Sequence, residues 1–308
     1  MAKDNYHDKG YKALLSKKRN FVKFLRHFVK KEWVKRLDEN SLRLCDRGFV
    51  DSFFKELESD LIYSAKLEDG DVYFYVLTEL QSSVDFKMPF RVFQYIWAIH
   101  MREWMDTPEE VRSRADFRLT PVIPIVFYNG TENWSAIRSF KDYQKRGEMY
   151  EGIIDFEYIL VDTNHLDKEY LLKNHDAICA AIAVDKVRSG EFEQFFNTLM
   201  AIVHAKAGFD QAEFKDFLEW LKHTLAHRTG SEEDANRVIK LIEEGDEAVV
   251  RTGVDILFDE AEARGVINAA VRMIKKGMGI REIADILDLS DEQLEQAEIK
   301  AGLKKEFA

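Results

Sequence analysis

Cysteine is almost absent: Cys45 and Cys179 are the only two in 308 residues. Two thiols so far apart cannot build a disulfide framework. They read as packed, reduced side chains, and the expected location is cytoplasmic. Proline is scarce too, with four residues, so Pro-rich linkers are excluded. No apolar run reaches the roughly 18 residues that a membrane-spanning helix needs, and no membrane partner is expected. The opening stretch MAKDNYHDKGYKALLSKKRN lacks the apolar core of a signal peptide. Walker A, GxGxxG and GxSxG patterns are missing as well, which leaves nucleotide-dependent and serine-hydrolase chemistry without support.

What is present is a soluble composition, 46% hydrophobic and 33% charged, in a chain long enough for one large domain with additions or for two. The net charge of −11 is unevenly spread: residues 1–36 hold twelve Lys and Arg against Asp4, Asp8 and Glu32, a balance of +9. Within KKRNFVKFLRHFVKKEWVKR, Phe21, Phe24, Leu25, Phe28 and Val29 recur at helical spacing. Lys17, Lys18, Arg19, Lys23, Arg26, Lys30 and Lys31 fill much of the remaining surface. Such a helix either presents a solvated charged face or tracks a phosphate backbone.

The element order reads helix, hairpin, helix, strand, helix, strand, then helices. One or two helices are expected over 8–36 and another near 50–57. SDLIYSAKL (59–67) and VYFYVLTEL (72–80) flank EDGD, in which Asp69-Gly70 is a strong hairpin signal. PFRVFQYIWAIHMREWM (89–105) opens on Pro89 and carries helical apolar spacing. TPVIPIVFY (120–128) reads as a central buried strand, with Pro121 and Pro124 suggesting that it starts at an edge or a bulge. FEYILVDT (156–163) is a further buried strand, and the chain from 168 onward is helical, broken at Ser189-Gly190, Gly208, Thr229-Gly230 and Gly277 to Gly279. The pattern predicts a mixed α/β sheet domain followed by an all-helical region, with segments at 1–166, 167–262 and 263–308.

With Asp69-Gly70 as a two-residue loop, Asp60 falls opposite Glu79. Carboxylates directly opposed on one face repel, unless one holds a proton or a divalent cation lies between them. Gln81 shares the face of Glu79 and can orient a water or a phosphate oxygen. Acids and amides at strand ends are also commonly just solvated.

The D-x(18)-E-x-Q layout on a hairpin resembles the PD-(D/E)XK nuclease superfamily. HDKGYKALL, SDLIYS, LTELQSS, MPFRVFQY and PVIPIVFYNG, in this order over about the first 165 residues, are similar to the recombination-promoting nuclease family, also known as YhgA-like or transposase-31-type transposases. The resemblance implies a PD-(D/E)XK restriction-endonuclease-like mixed sheet flanked by helices. It implies Mg²⁺, with Mn²⁺ as an alternative, bound by Asp60, Glu79 and the backbone carbonyl of Leu80. Gln81 takes the place that the superfamily usually gives to a catalytic lysine, which leaves it able to orient but not to supply charge. Arg91 and Tyr95, four apart on a helix, resemble an auxiliary phosphate-contacting pair, with Gln94 beside them. Asp8 matches an N-terminal HD signature and is either a third acid or a helix cap.

The function expected from this is a metal-dependent DNA endonuclease of little sequence specificity, linked to recombination or mobile elements. Lys17, Lys18, Arg19, Lys23 and Arg26 would hold the DNA backbone. The alternatives are a catalytically weak or inactive nuclease-fold protein that binds DNA or a partner, and an RNA-cleaving enzyme of the same fold; self-association stays open. His223 and His227, spaced i, i+4 without the glutamate of HExxH, read as a solvated face. GMGIREIADILDLSDEQLEQAEIK (277–300) has helix-turn-helix spacing, but an acidic second helix suits packing or self-association better than a major groove.

Overall fold

The computed structural model describes residues 6–45, 61–67, 70–79, 84–187, 191–245 and 247–303. Two compact units divide at Leu221 and Lys222. The first begins with helices α1 (Tyr6–Leu15) and α2 (Lys18–Phe24), a π-helical turn (Leu25–Val29) and a 3-10 turn (Glu32–Arg36). Strands β1 (Leu37–Leu44), β2 (Leu61–Leu67) and β3 (Gly70–Glu79) follow as a meander, then α3 (Met88–Asp106), α4 (Glu109–Arg112), β4 (Val122–Tyr128), α5 (Phe140–Tyr143) and β5 (Ile159–Asp162). Helices α6 (Lys168–Lys173), α7 (Ala177–Asp185), α8 (Phe192–His204) and the start of α9 (Gln211–Thr229) complete the unit.

The sheet runs β1-β2-β3-β4-β5, antiparallel through β3 and parallel from β3 to β5. It is a mixed α/β architecture, as expected. One face is aromatic, because alternate residues of three strands face α1 and α2. Phe21 stacks on Tyr63 at 4.1 Å between ring centroids, and Tyr11 and Phe24 meet Phe127 at 4.9 and 5.6 Å. The other face, through Val126, is covered by Val92, Tyr95 and Ile99 of α3, with Tyr158 beside them. Helix α7 lies against α1 and α2. Its sequence AICAAIAV is apolar on every side, and all eight residues are buried, as a helix hydrophobic all round requires.

Three expectations are corrected. Strand β1, LDENSLRL, lies where no strand was expected. It is an edge strand with exposed polar residues and a break in register between Asp38 and Arg43, so it carries little apolar alternation. The hairpin closes on Leu67 and Gly70 rather than around Asp69-Gly70, so Leu61 faces Val76 instead of Thr78. Gly70 adopts φ +138, open to glycine without strain, and β3 therefore begins one residue earlier. A two-residue shift conserves the pleat, which is why Tyr63 and Phe74 still pair on the buried face. Finally, Pro124 sits inside the central strand with no bulge. The ladder of β4 to β5 begins only at Ile125, so the side of Pro124 away from β3 has no strand demanding a donor.

The second unit holds the end of α9, α10 (Glu232–Glu244), α11 (Glu247–Lys275), α12 (Ile280–Leu287) and α13 (Asp291–Ala301). Gly230, Gly245 and Gly277 all take positive φ where helices stop. Ser290 and Gln293 form a capping box that starts α13. Ile283 and Ala297 bury against Ile267 and Ala270 of α11.

Candidate active site at the carboxyl ends of the parallel strands

Strands β3, β4 and β5 end together. Glu79 stands opposite Tyr128, and Tyr128 opposite Asp162, so the three form one row across the sheet. Strand spacing of about 4.8 Å sets neighbouring members of that row one strand apart. Parallel strands commonly present ligand sites beyond their carboxyl ends. The alternation of β4 gives this row the face of Val126, which α3 covers. The register position of Glu79 and the helix that carries Arg91, Gln94 and Tyr95 thus belong to the same side of the sheet.

Asp60, Leu80 and Gln81 lie outside the described residues, and so do the side chains of Glu79 and Asp8; the backbone of Asp8 belongs to α1. The expected opposition of Asp60 to Glu79 rested on the register corrected above. On α3, Tyr95 is buried in the core cluster. Arg91 is half-buried and donates from an NH1 nitrogen to Asp85 Oδ2 at 2.9 Å. Asp85 Oδ1 also accepts from the backbone of Lys87 at 2.8 Å, fixing the approach to α3. Arg91 and Tyr95 therefore differ in setting, one at the helix rim and one in the core, although four residues separate them. Gln94 is half-buried.

The loops after β4 and β5 are tied together. Asn164 Nδ2 donates to the carbonyls of Gly130 and Glu132 at 2.9 and 3.0 Å, and Asp162 Oδ1 accepts from Asn164 N at 2.9 Å. Gly130 is required sterically, since a Cβ there would lie 2.2 Å from Tyr128 Oη. Beside this edge, Asp185 Oδ2 accepts from Asn129 Nδ2 at 2.7 Å and from Tyr11 Oη at 3.2 Å. Sequence reasoning passed over Asp85, Asp162 and Asp185. Asp85 carried a weak local signal, an acid shortly before a Pro-initiated helix. Asp185 carried none, because its partners lie 56 and 174 residues away.

The basic segment is engaged with α9. Lys17 Nζ donates to Asp216 Oδ1 at 2.8 Å and to Glu219 Oε2 at 2.5 Å, and Lys23 donates to Glu213 at 2.7 Å. Arg19 reaches Asp216 with Nε and with one NH2 nitrogen, and Asn20 Nδ2 adds a bond at 2.9 Å. Burial alone would push the Asp216 carboxyl up, but Lys17, Arg19 and Asn20 donating to it hold it below the ordinary carboxylate range. Arg26 pairs with Glu39. Lys18 is exposed and makes no ion pair among the described residues. Of the five side chains expected on a DNA backbone, four thus have carboxylate partners.

Among the described residues, His27, Asp176 and Cys179 have potential ligand atoms within 4.8 Å of one another. His27 Nε2 lies 2.8 Å from Asp176 Oδ2, and its Nδ1 lies 2.8 Å from Tyr170 Oη. Asp176 Oδ1 caps α7 by accepting from Cys179 N at 2.9 Å. Both ring nitrogens and both carboxylate oxygens are therefore matched within the protein. The N, O, S donor set is also wrong for Mg²⁺, which takes oxygen. The cluster reads as a buried network that anchors the start of α7 to the π-helical turn.

A sequence profile described as "Putative transposase, YhgA-like" matches residues 5–213. The chain belongs to this family. Recombination-promoting nuclease RpnD of Escherichia coli O157:H7 is 26% identical over 238 residues, spanning 76% of this chain and 85% of the relative. Recombination-promoting nuclease RpnA of Escherichia coli K12 is 22% identical, across 84% and 86% of the two chains. The inactive recombination-promoting nuclease-like protein RpnE, also of K12, is 23% identical over 95% and 96%. No solved structure matches the chain significantly. The family profile covers the whole sheet, α3 and the basic segment, so it includes every element of the candidate site. No helix among the described residues is long and apolar enough to cross a membrane.

Proposed function

We propose that this member of the YhgA-like family is a metal-dependent nuclease that hydrolyses DNA phosphodiesters with little sequence specificity, in recombination or element mobility. The observation that carries the reading is the position of Glu79. It ends β3 in the row with Tyr128 and Asp162, on the side of the sheet that α3 covers, in a chain similar to proteins named recombination-promoting nucleases. A PD-(D/E)XK-like fold is part of the proposal, supported by the mixed sheet with helices on both faces.

In this reading Asp60, Glu79 and the carbonyl of Leu80 hold Mg²⁺ or Mn²⁺, an all-oxygen set of the kind these ions prefer. When bound, the ion supplies positive charge to the scissile phosphate and acidifies a water. Gln81 orients that water through its amide. Arg91 reaches a phosphate oxygen at the cost of loosening its pair with Asp85, or stays with Asp85 and orients α3. Lys18 is the member of the basic segment best placed for backbone contact, because its charge is not matched by a carboxylate.

A second reading is a nuclease-fold protein that binds DNA or another partner without cutting. It is favoured by the fact that RpnE, the relative spanning 95% of this chain, is named inactive. An RNA substrate is an outcome of the same assay. Supercoiled plasmid and a labelled RNA are incubated with the protein and Mg²⁺, Mn²⁺, Ca²⁺ or EDTA, beside Asp60→Ala. The proposal expects plasmid cleavage with Mg²⁺ or Mn²⁺ that EDTA and Asp60→Ala both abolish. Binding without cleavage under every condition favours the second reading.

A further inference from the structure

Helix α3 buries one side against the sheet and turns an aromatic stripe to the outside. Val92, Tyr95 and Ile99 face the core. On the opposite side of the helix lie Phe90, 46% exposed, Trp97, 43%, and Trp104, 40%, with Met105 at 62% on the margin. The three aromatics recur every seven residues, which on an α-helix sets them in line about 10.5 Å apart. Solvent-facing helix surfaces are ordinarily polar, and here only Gln94 and Lys87 break the apolar character. Beyond the C-terminus, Phe117 meets Trp104 edge-on at 5.9 Å and the Arg112 guanidinium lies 5.3 Å over the same indole. The stripe thus continues into an ordered border.

We infer that this outer face of α3 is a self-association surface, on which a second copy of the chain packs its own α3 in antiparallel sense about a twofold axis at Trp97. This rests on the geometry of α3 and is independent of the nuclease reading. Three features select a second copy. The spacing is self-complementary: with Trp97 on the axis, Phe90 of one copy falls beside Trp104 of the other, so the same patch matches itself, as a twofold contact demands. The charges agree, since the antiparallel arrangement brings exposed Lys87 toward the other copy's Glu109 and Glu110, whereas a parallel one sets Lys87 against Lys87. The size is right as well. An aromatic side chain buries about 150–250 Å² in full, so the exposed parts of the stripe amount to roughly 350–400 Å² per copy, at the scale of functional surface patches. With its polar border the surface approaches the roughly 800 Å² per partner of a standard interface. Trp and Phe centred in a polar rim are also the composition that interface cores favour.

The test is the mass of the full chain in solution, by light scattering and sedimentation equilibrium across a dilution series, for wild type and Trp97→Glu. The expected result is a two-copy mass that dissociates on dilution, and a one-copy mass for Trp97→Glu at every concentration, with an unchanged far-ultraviolet circular dichroism spectrum. Orientation is read separately on a Cys45→Ser background. Phe90→Cys mixed with Trp104→Cys should form an oxidative cross-link that neither variant forms alone. That arm decides the matter even if Trp97→Glu does not fold. A wild-type mass of one copy, an undiminished two-copy mass in Trp97→Glu, or cross-linking of Phe90→Cys with itself would each overturn the inference. A one-copy wild type whose affinity for an oligonucleotide drops in Trp97→Glu would overturn it in favour of nucleic acid on this face.

Discussion

Arg19 grips Asp216 through two nitrogens, Nε at 2.8 Å and NH2 at 2.5 Å. The carboxylate is buried to 4% of its side-chain surface, yet it also accepts from Lys17 and Asn20. A buried charge is tolerable when its lone pairs are satisfied in this way, and removing it strands the donors. Asp216→Asn should therefore destabilise the protein by about 2–3 kcal/mol near neutral pH, measured by urea denaturation; the partial exposure of Lys17 and Arg19 keeps the cost below the fully buried range. Because the folded-state pKa of Asp216 is depressed, its contribution is present above the ordinary carboxylate value of about 3.9 and is lost as pH falls through the lowered folded value. The difference between wild type and Asp216→Asn should shrink accordingly below about pH 4. A constant difference down to pH 2 would show that the stabilisation is not electrostatic.

The same ion pairs divide the basic segment into two classes. Each phosphate contact adds about 0.9 to the slope of log affinity against log salt. Lys18→Ala should lower that slope for duplex DNA by about 0.9 without changing stability, since Lys18 is exposed. Lys17→Ala and Arg19→Ala should act chiefly on stability, because their charges are committed to Asp216 and Glu219. A slope indifferent to Lys18→Ala would assign that charge to plain solvation.

The two thiols should separate in reactivity. Cys179 is fully buried, and burial, with Asp176 beside it, pushes its thiol up. Thiolate is the reactive form, so Cys179 should stay unlabelled by iodoacetamide at pH 8 in the folded protein, while half-buried Cys45 reacts. Both should label in denaturant. Rapid modification of Cys179 under native conditions would mean that the His27–Asp176 network opens far more often than its matched hydrogen bonds suggest.

Legibility in the sequence followed burial. Strands β2 to β5 and helix α3 were readable because apolar periodicity reports a face that must leave water. Strand β1 was not, since an exposed edge needs no such pattern and LDENSLRL is mostly polar. The hairpin's existence was readable and its register was not. Glycine permits the turn at either of two positions, and the pleat is indifferent to a slip of two residues. The charged helix was seen, but not what its charges do. Lys17 and Asp216 are 199 residues apart, and nothing local in either stretch marks the partner. At the candidate site the pattern named Glu79 and α3, whereas Asp85, Asp162 and Asp185 emerge only where separate loops converge at one edge of the sheet.

The last prediction separates an enzyme from a binder. Glu79 ends a strand whose other neighbours are apolar or aromatic, and Tyr128 stands opposite it. Glu79→Gln conserves shape and removes one charge, so the thermal midpoint should be unchanged or slightly higher, a carboxylate at a crowded strand end being a liability without a cation. Metal-dependent cleavage should fall by orders of magnitude if Glu79 is a ligand, each tenfold loss corresponding to about 1.4 kcal/mol of transition-state stabilisation. Binding of DNA in EDTA should persist, because the basic segment is untouched. Gln81→Lys supplies the charge that an amide cannot, and should leave cleavage equal or faster if residue 81 adjoins the reacting phosphate. Wild-type cleavage by Glu79→Gln would move the chemistry away from the end of β3, toward the acids that cluster at the neighbouring strand ends.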